Sequence, residues 1–184
     1  MSFLKKRSVA IVILAIVVVV SVLFGSHRSL AALRQDAQDV FTQGEKGDGL
    51  SIEHDLESRV QLSSNLVTVA RRYLDADAPS VAGAEQAAAA LGAARTPGEK
   101  YRANAGLDSA FGTLYAELGE KSLSEQDARY RARIQTDFQS RNATISHDAY
   151  NRVAQNFNEG VLGSFPAGLL GAATGIQPLE LYRC

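Results

Sequence analysis

The chain begins with a run of apolar side chains that no charged residue interrupts. Val9 to Phe24 is apolar at fifteen of sixteen positions, and the uncharged stretch extends over residues 8–25. Eighteen residues of α-helix rise about 27 Å, close to the hydrocarbon core of a bilayer at about 30 Å. The run therefore favours an uncleaved anchor over a cleaved signal peptide, whose apolar region has about 7 to 15 residues. The signal peptide stays open as the alternative, with Ser29-Leu30-Ala31 as a tolerable cleavage site.

The charges on either side of this run predict how the chain crosses the membrane. Three basic residues precede it, Lys5, Lys6 and Arg7, whereas Arg28 is the only fixed positive charge near its far end. Positive residues of a single span stay on the cytoplasmic side. The pattern predicts a cytoplasmic tail, a transmembrane helix (signal anchor) and an extracytoplasmic domain, at residues 1–7, 8–25 and 26–184.

Beyond the anchor, apolar side chains recur at helical spacing, without the sustained alternation typical of strands. Ser51 is the predicted N-cap of a helix with one apolar face, formed by Ile52, Leu56, Val60, Ser63, Val67, Ala70 and Leu74. A break at Pro79 precedes an Ala-rich helix at residues 84–94. The sequence Thr96-Pro97-Gly98-Glu99 predicts a capping box for the next helix, which ends near Gly119.

The last third of the chain carries the longest helical pattern. Ser122 and Glu125 have the spacing of a second capping box. Apolar side chains then repeat mostly at four-residue steps up to Pro166, which predicts one helix of more than forty residues. With residues 30–42 predicted to continue the membrane helix, the chain is expected to be all-α: a single N-terminal transmembrane helix followed by an elongated, antiparallel four-helix-type bundle.

Charge and cysteine content exclude several classes of protein. Nineteen basic and twenty acidic residues give a net charge of −1, and the chain beyond the basic cluster carries −4. This balance argues against nucleic-acid binding. The single cysteine, Cys184, excludes a disulfide scaffold within one chain. It could join two chains outside the cytoplasm, although an unreactive terminal thiol is the favoured interpretation.

No set of residues has the pattern of a catalytic or metal site. The three histidines, His27, His54 and His147, lack the spacing that zinc or di-iron sites need. The sequence has no nucleophile elbow, phosphate-binding loop or dinucleotide fingerprint. The glycine-rich stretch at residues 44–49 lacks the acidic ligands of a calcium loop and is interpreted as a turn. We therefore expect a protein that is not an enzyme and holds no metal or cofactor.

Two polar positions and the tail lead to more specific expectations. A buried amide must find partners for its donors and its acceptor, so we expect Asn65 and Asn151 to be hydrogen-bonded inside the bundle. The stretch from Ala167 to the C-terminus is apolar with glycines between. We expect it to fold back onto the bundle, with Tyr182 packed.

A series of motifs follows the pattern of a known family. A Tyr-Asn pair is followed seven residues later by Phe-Asn, then by Phe-Pro and by an ending with glycine and proline. The motif residues are Asn65, Leu66, Val67, Asn104, Asn142, Tyr150, Asn151, Phe157, Asn158, Phe165, Pro166, Gly175 and Pro178. This pattern resembles the LemA family. Gln61 and Ser64 stand where the family usually has Asp and Pro, so the chain resembles a divergent member.

The resemblance implies a bacterial protein with one membrane span and a helical bundle outside the cytoplasm. It supplies no catalytic residues, and the motif residues are then structural. Members of the family are thought to occur near membrane metalloproteases, which makes such a protease a candidate partner by analogy.

Two functions are compatible with these features. The leading hypothesis is a membrane-anchored, non-catalytic interaction or scaffold protein of the bacterial cell envelope, with unidentified envelope proteins as partners. The alternative is an extracytoplasmic sensory or ligand-binding helical domain. It would act through a partner, because only about seven residues lie in the cytoplasm. A helical envelope enzyme is the least favoured possibility.

Overall fold

A computed structural model describes residues 7–75 and 77–183, and these contain helices and turns but no strand. The all-α prediction is confirmed. Lys5, Lys6 and Cys184, on which the predicted tail and thiol depend, lie outside the described residues. The helices are α1 (Arg7–Gln43), α2 (Ile52–Ala70), α3 (Pro79–Ala93), α4 (Pro97–Gly119), α5 (Glu125–Ser146), α6 (Tyr150–Gln155), a π-helical segment (Asn156–Val161) and α7 (Ala167–Thr174).

The described chain divides into two compact units. The first contains residues 7–38 and 152–179, and the second contains residues 39–151 and 180–183. We call the second the bundle unit, because α2, α3, α4 and α5 pack against one another within it. The predicted helical bundle of four members is therefore present, formed by the helices between the apolar run and residue 147.

Helix α1 joins the apolar run to the segment that follows it, as the sequence predicts. The helix is long and apolar enough to cross a membrane, with a mean hydropathy of 3.0 in its most apolar stretch. None of that stretch is buried in the molecule. Leu14 and Phe24, for example, expose 64% and 70% of their surface. The protein itself therefore leaves this apolar surface uncovered.

In the bundle unit, α2 and α4 begin at residues whose side chains cap the helix. The Ser51 hydroxyl accepts a hydrogen bond from the His54 amide at 3.2 Å, which confirms the predicted N-cap of α2. At α4, Thr96 Oγ1 accepts from the Glu99 amide and Glu99 Oε2 accepts from the Thr96 amide, so the predicted capping box is also confirmed. Each interaction satisfies a backbone donor that the helix leaves free.

The predicted start of α5 is wrong by two residues. Ser124, not Ser122, is the N-cap, and its hydroxyl accepts from the Asp127 amide at 3.1 Å. The tertiary structure selects this position, because Tyr73 after the end of α2 donates its hydroxyl proton to Asp127 and accepts from the Ser124 amide. Asp127 thus fixes the first turn of α5 against a residue that is fifty-four positions away.

The predicted helix of more than forty residues is also wrong. Helix α5 ends at Ser146, and a new helix begins at Tyr150. Between them Asp148 accepts a hydrogen bond from the Tyr150 amide at 2.7 Å, a local bond that competes with continued helix. The break preserves the four-residue spacing of Ile145, Ala149 and Val153, so periodicity alone cannot reveal it.

The first unit holds the returning tail through backbone contacts. The Asn158 side chain accepts from the Leu179 amide and donates to the Leu179 carbonyl, at 2.7 and 2.8 Å. Arg34 Nε donates to the Gln177 carbonyl at 2.8 Å. Leu179 is buried, but Phe165 and Leu169 are exposed. The predicted return of the tail is therefore confirmed at Gly171 and Leu179, which are buried, while Leu169 stays exposed.

Candidate functional site

A buried arginine lies at the centre of the bundle unit. Arg59 has no exposed surface, and its guanidinium lies 4.0 Å from the centroid of the Phe138 ring. Its Nη1 donates to Asn142 Oδ1 and its Nη2 pairs with the Asp108 carboxylate. Burying a charge is costly unless it is paired and hydrogen-bonded. These two partners pair the charge, while Arg59 Nε completes no hydrogen bond with the described residues. Arg59 thus connects α2 to both α4 and α5.

The sequence reading placed the wrong residue of α2 inward. It assigned Val60 to the apolar face, whereas the structure buries Arg59 and leaves Val60 half-buried. Arg59 does stand three residues after Leu56 and four before Ser63, which is the spacing of the buried face. A charged residue at a buried position of the helical repeat, in a chain with acidic and amide residues that can pair with it, is the sequence signal that could have identified Arg59.

A cavity of about 300 Å³ lies in the same unit. Helices α4 and α5, the turn after α5 and the C-terminal residues of the unit contribute its walls. The residues that line it are Tyr101, Asn104, Ala105, Asp108, Asn142, Ile145, Ser146, Asp148, Asn151 and Tyr182. Among the described residues, the lining contains two carboxylates and no lysine, arginine or histidine.

The C-terminal wall of the cavity is held by an amide side chain. Asn151 Oδ1 accepts from the Tyr182 amide at 2.8 Å, and Asn151 Nδ2 donates to the Tyr182 carbonyl at 3.1 Å. The Tyr182 ring packs edge-on against Tyr101, with the ring centroids 5.4 Å apart. These contacts bury Tyr182 and confirm the prediction that it is packed. The expectation that Asn151 is hydrogen-bonded inside the bundle is confirmed as well.

Two polar atoms of the cavity wall have no partner. Asn104 and Tyr182 each expose only 6% of their surface. Neither Asn104 Oδ1 nor the Tyr182 hydroxyl completes a hydrogen bond of ordinary geometry with the described part of the chain. A buried polar atom without a partner costs about 1–3 kcal/mol. The cavity wall therefore contains a buried amide oxygen and a buried hydroxyl that the described chain leaves without hydrogen bonds.

Burial raises the pKa values of two side chains of the wall, Asp148 and Tyr182. Burial raises the pKa of the Asp148 carboxyl, and the hydrogen bond from the Tyr150 amide acts in the opposite direction. The negative charges of Asp55 and Glu45 add to the rise. Burial likewise raises the pKa of Tyr182 to about 12, although the Arg59 charge and the Asn104 amide oppose this. The Tyr182 hydroxyl is therefore protonated throughout the neutral range.

Raising the pH from 9 to 11 is expected to destabilise the bundle unit through Tyr182. The unfolded tyrosine loses its proton near pH 10, whereas the folded one keeps it up to about pH 12. The stabilisation is therefore fully present below pH 10 and is lost as the pH rises toward 12. At pH 11 the loss amounts to about 1.4 kcal/mol.

Urea unfolding at the two pH values, with wild type and Tyr182→Phe, measures this loss. The phenylalanine variant has no titrating hydroxyl at this position, so its stability should fall by about 1.4 kcal/mol less. Equal losses in the two proteins would contradict the account of a buried, protonated hydroxyl.

The structure brings three of the motif asparagines to the cavity and places the other motif residues elsewhere. Asn104, Asn142 and Asn151 line it. Asn65 is only half-buried and accepts from Gln61 on the same helix in an exposed contact, so its predicted position inside the bundle is wrong. The buried motif residues outside the cavity are Leu66, Val67, Tyr150 and Phe157, while Phe165 and Pro178 are exposed.

Two motif residues, Tyr150 and Gly175, have a role in the backbone structure. The Tyr150 hydroxyl donates to the Glu180 carbonyl at 2.5 Å. Gly175 ends α7 with φ = 77°, a left-handed conformation that glycine adopts without steric cost. The amides of Gly175 and Ile176 then donate to the carbonyls of Ala172 and Gly171, the Schellman arrangement.

Among the described residues, no group of three or more His, Cys, Asp or Glu side chains is arranged to hold a metal ion. No protein-family model and no curated protein matches this chain.

Proposed function

We propose that this chain is a membrane-anchored, non-catalytic helical interaction protein of the bacterial cell envelope, related to the LemA family. Its N-terminus lies in the cytoplasm, α1 crosses the cell membrane, and the bundle unit is presented on the other side. There it binds envelope proteins, with a membrane metalloprotease as a candidate partner by family analogy.

The observation that carries the proposal is the uncovered apolar surface of α1. Nearly all side chains from Ile11 to Phe24 are exposed, on every side of the helix and without one polar face. A helix that is apolar on every side belongs in a protein core or in lipid, and this stretch lies outside the protein core. The basic residues before the run support the proposed orientation.

The use of charged residues supports a non-catalytic role. Asp55 pairs with Arg141 at 2.9 Å, and Glu53 pairs with Lys100 at 2.8 Å. Each pair joins α2 to another helix of the bundle unit. Most of the buried charged side chains, that of Arg59 included, therefore connect one helix to another.

Labelling of single cysteines tests the membrane topology. In a Cys184→Ser background, Ser2→Cys and Tyr130→Cys place one thiol at each end of the proposed arrangement, and Tyr130 is exposed on α5. A maleimide that cannot cross membranes should label Tyr130→Cys in intact spheroplasts, and Ser2→Cys only after lysis. The reverse pattern, or a mature chain that lacks its first thirty residues, would overturn the proposal.

Site-specific photo-crosslinking in cells tests the interaction role. A photoreactive residue replaces Ala89 of α3, Ala116 of α4 or Tyr130 of α5, all of which are exposed. A protein partner should give an adduct of reproducible mass from one face and not from the others. Absence of a protein adduct at all three positions would refute the interaction role and favour the ligand-binding alternative.

A further inference from the structure

We propose that the cavity of the bundle unit binds a small organic ammonium ion. This inference goes beyond the interaction role, because it assigns a ligand site to a chain for which the sequence indicates none. It rests on the charge of the cavity lining, on the unpartnered atoms of its wall and on its aromatic residues.

The carboxylates of the cavity lining favour a cationic ligand. Asp108 and Asp148 contribute carboxylates, and no basic side chain of the described part of the chain lines the cavity. Arg59 lies behind the wall without exposed surface and is engaged by Asp108 and Asn142. Its charge offsets that of the Asp108 carboxylate, so Asp148 supplies the remaining acidic group of the lining. An anion entering the cavity would meet repulsion without access to the guanidinium.

The unpartnered wall atoms select a ligand that donates hydrogen bonds. Asn104 Oδ1 is an acceptor only, and it is buried without a donor. The Asp148 carboxylate accepts one bond, from the Tyr150 amide, and has lone pairs left for others. A primary ammonium group carries three N–H donors, which is enough in number for both acceptors. The Tyr182 hydroxyl completes no hydrogen bond of ordinary geometry with the described residues, and it can accept the third N–H or donate to an oxygen of the ligand.

The aromatic residues and the size of the cavity fit the same class of ligand. Tyr101 and Tyr182 both line the cavity and meet edge to face, at an interplanar angle of 80°. Tyrosine ring faces attract organic cations within about 6 Å of the centroid. The volume of about 300 Å³ is at the lower end of the range for small-molecule sites. A divalent metal ion fits less well, because Asp108 is already paired with Arg59.

Thermal unfolding of the full chain in a non-ionic detergent tests the proposal. The probes are n-butylammonium, the uncharged butan-1-ol, the anion butyrate and Ca²⁺, at equal concentration. All six tyrosines lie in the bundle unit and the chain has no tryptophan, so the near-ultraviolet circular dichroism of tyrosine reports on this unit. We expect n-butylammonium to raise Tm in a saturable manner and the other three probes to leave it unchanged.

Two variants and a matched control locate the effect. Asp148→Asn keeps an oxygen for the Tyr150 amide but removes the charge, and it should weaken n-butylammonium binding about tenfold, which corresponds to about 1.4 kcal/mol. Asn104→Leu removes a buried unpartnered oxygen at similar volume. The response to n-butylammonium should disappear in this variant. Glu120→Gln, an exposed carboxylate outside the cavity lining, should bind as wild type.

Several outcomes would overturn the proposal. One is the absence of a saturable shift with n-butylammonium, which would mean that water alone satisfies the wall. Equal shifts with butan-1-ol would indicate an apolar site, and a selective shift with Ca²⁺ would indicate a metal site. Undiminished binding in both Asp148→Asn and Asn104→Leu would place the ligand elsewhere.

Discussion

Replacing Arg59 by methionine is expected to lower the free energy of unfolding of the bundle unit by about 3–5 kcal/mol. The substitution leaves Asn142 without its donor and Asp108 without its counter-charge. It also removes the guanidinium that covers the Phe138 ring. Because the Asp108 side chain is 38% exposed and can be hydrated, we expect a value toward the lower end of this range.

The measurement is urea unfolding of the full chain in a non-ionic detergent, followed by the tyrosine signal of the bundle unit. Arg133→Met is the matched control, because its side chain is 80% exposed and meets only Asp137 at 3.7 Å on the same helix. This control should change the stability by no more than about 0.5 kcal/mol. An Arg59→Met loss as small as that of the control would contradict the structural role of the buried charge.

A second substitution separates the effect of the lost Arg59–Asp108 ion pair from the effect of the lost packing against Phe138. Adding Asp108→Asn to Arg59→Met removes the carboxylate that the first change leaves without a counter-charge. The double variant should recover part of the loss, since the penalty of an unpaired charge disappears while the contact with Phe138 stays absent. No recovery at all would indicate that packing alone accounts for the effect.

Placing two aspartates in the apolar run is expected to prevent membrane insertion of α1. Ile16 and Val19 lie near the middle of the run. An aspartate at the centre of a transmembrane helix costs about 2.5–3.5 kcal/mol, so Ile16→Asp/Val19→Asp costs about 5–7 kcal/mol in total. The wild-type chain should stay with membranes during alkaline extraction, whereas the variant should be released or degraded.

The control carries the same two charges further along the same helix. Ser29→Asp/Ala32→Asp has the same spacing and exposed positions, but it lies beyond the apolar run. It should remain in the membrane fraction. Release of both variants would mean that charge anywhere on α1 disturbs the chain, and retention of both would refute a spanning helix.

Local sequence signals predicted the helix starts where the capping residues act on their neighbours. Ser51 and the Thr96–Glu99 box satisfy backbone donors three residues away, so the motif contains all the partners. At Ser124 the same reasoning failed. The choice between Ser122 and Ser124 depends on Tyr73, a partner that lies in a distant part of the chain.

The cavity was not predictable from the sequence. Its lining comes from three separate stretches of the chain, and no spacing rule connects Asn104, Asp148 and Tyr182. Their proximity depends on the break after Ser146, which a continuous four-residue repeat conceals. Asn104 and Asn142 were identified through the family resemblance, but nothing in the sequence indicated that one keeps a free acceptor and the other holds Arg59.

The sequence by itself determined the helical class and the apolar run. Both follow from the order of side chains within a few turns, where hydrophobic periodicity and uninterrupted apolar length act locally. The tertiary structure alone decided which polar residues of each helix face inward, where the long repeat breaks and which buried atoms remain unpaired. These features depend on partners that are distant in the sequence, such as Asp108 and Asn142 for Arg59. The cost of burying a charge or an amide is determined only when those partners meet.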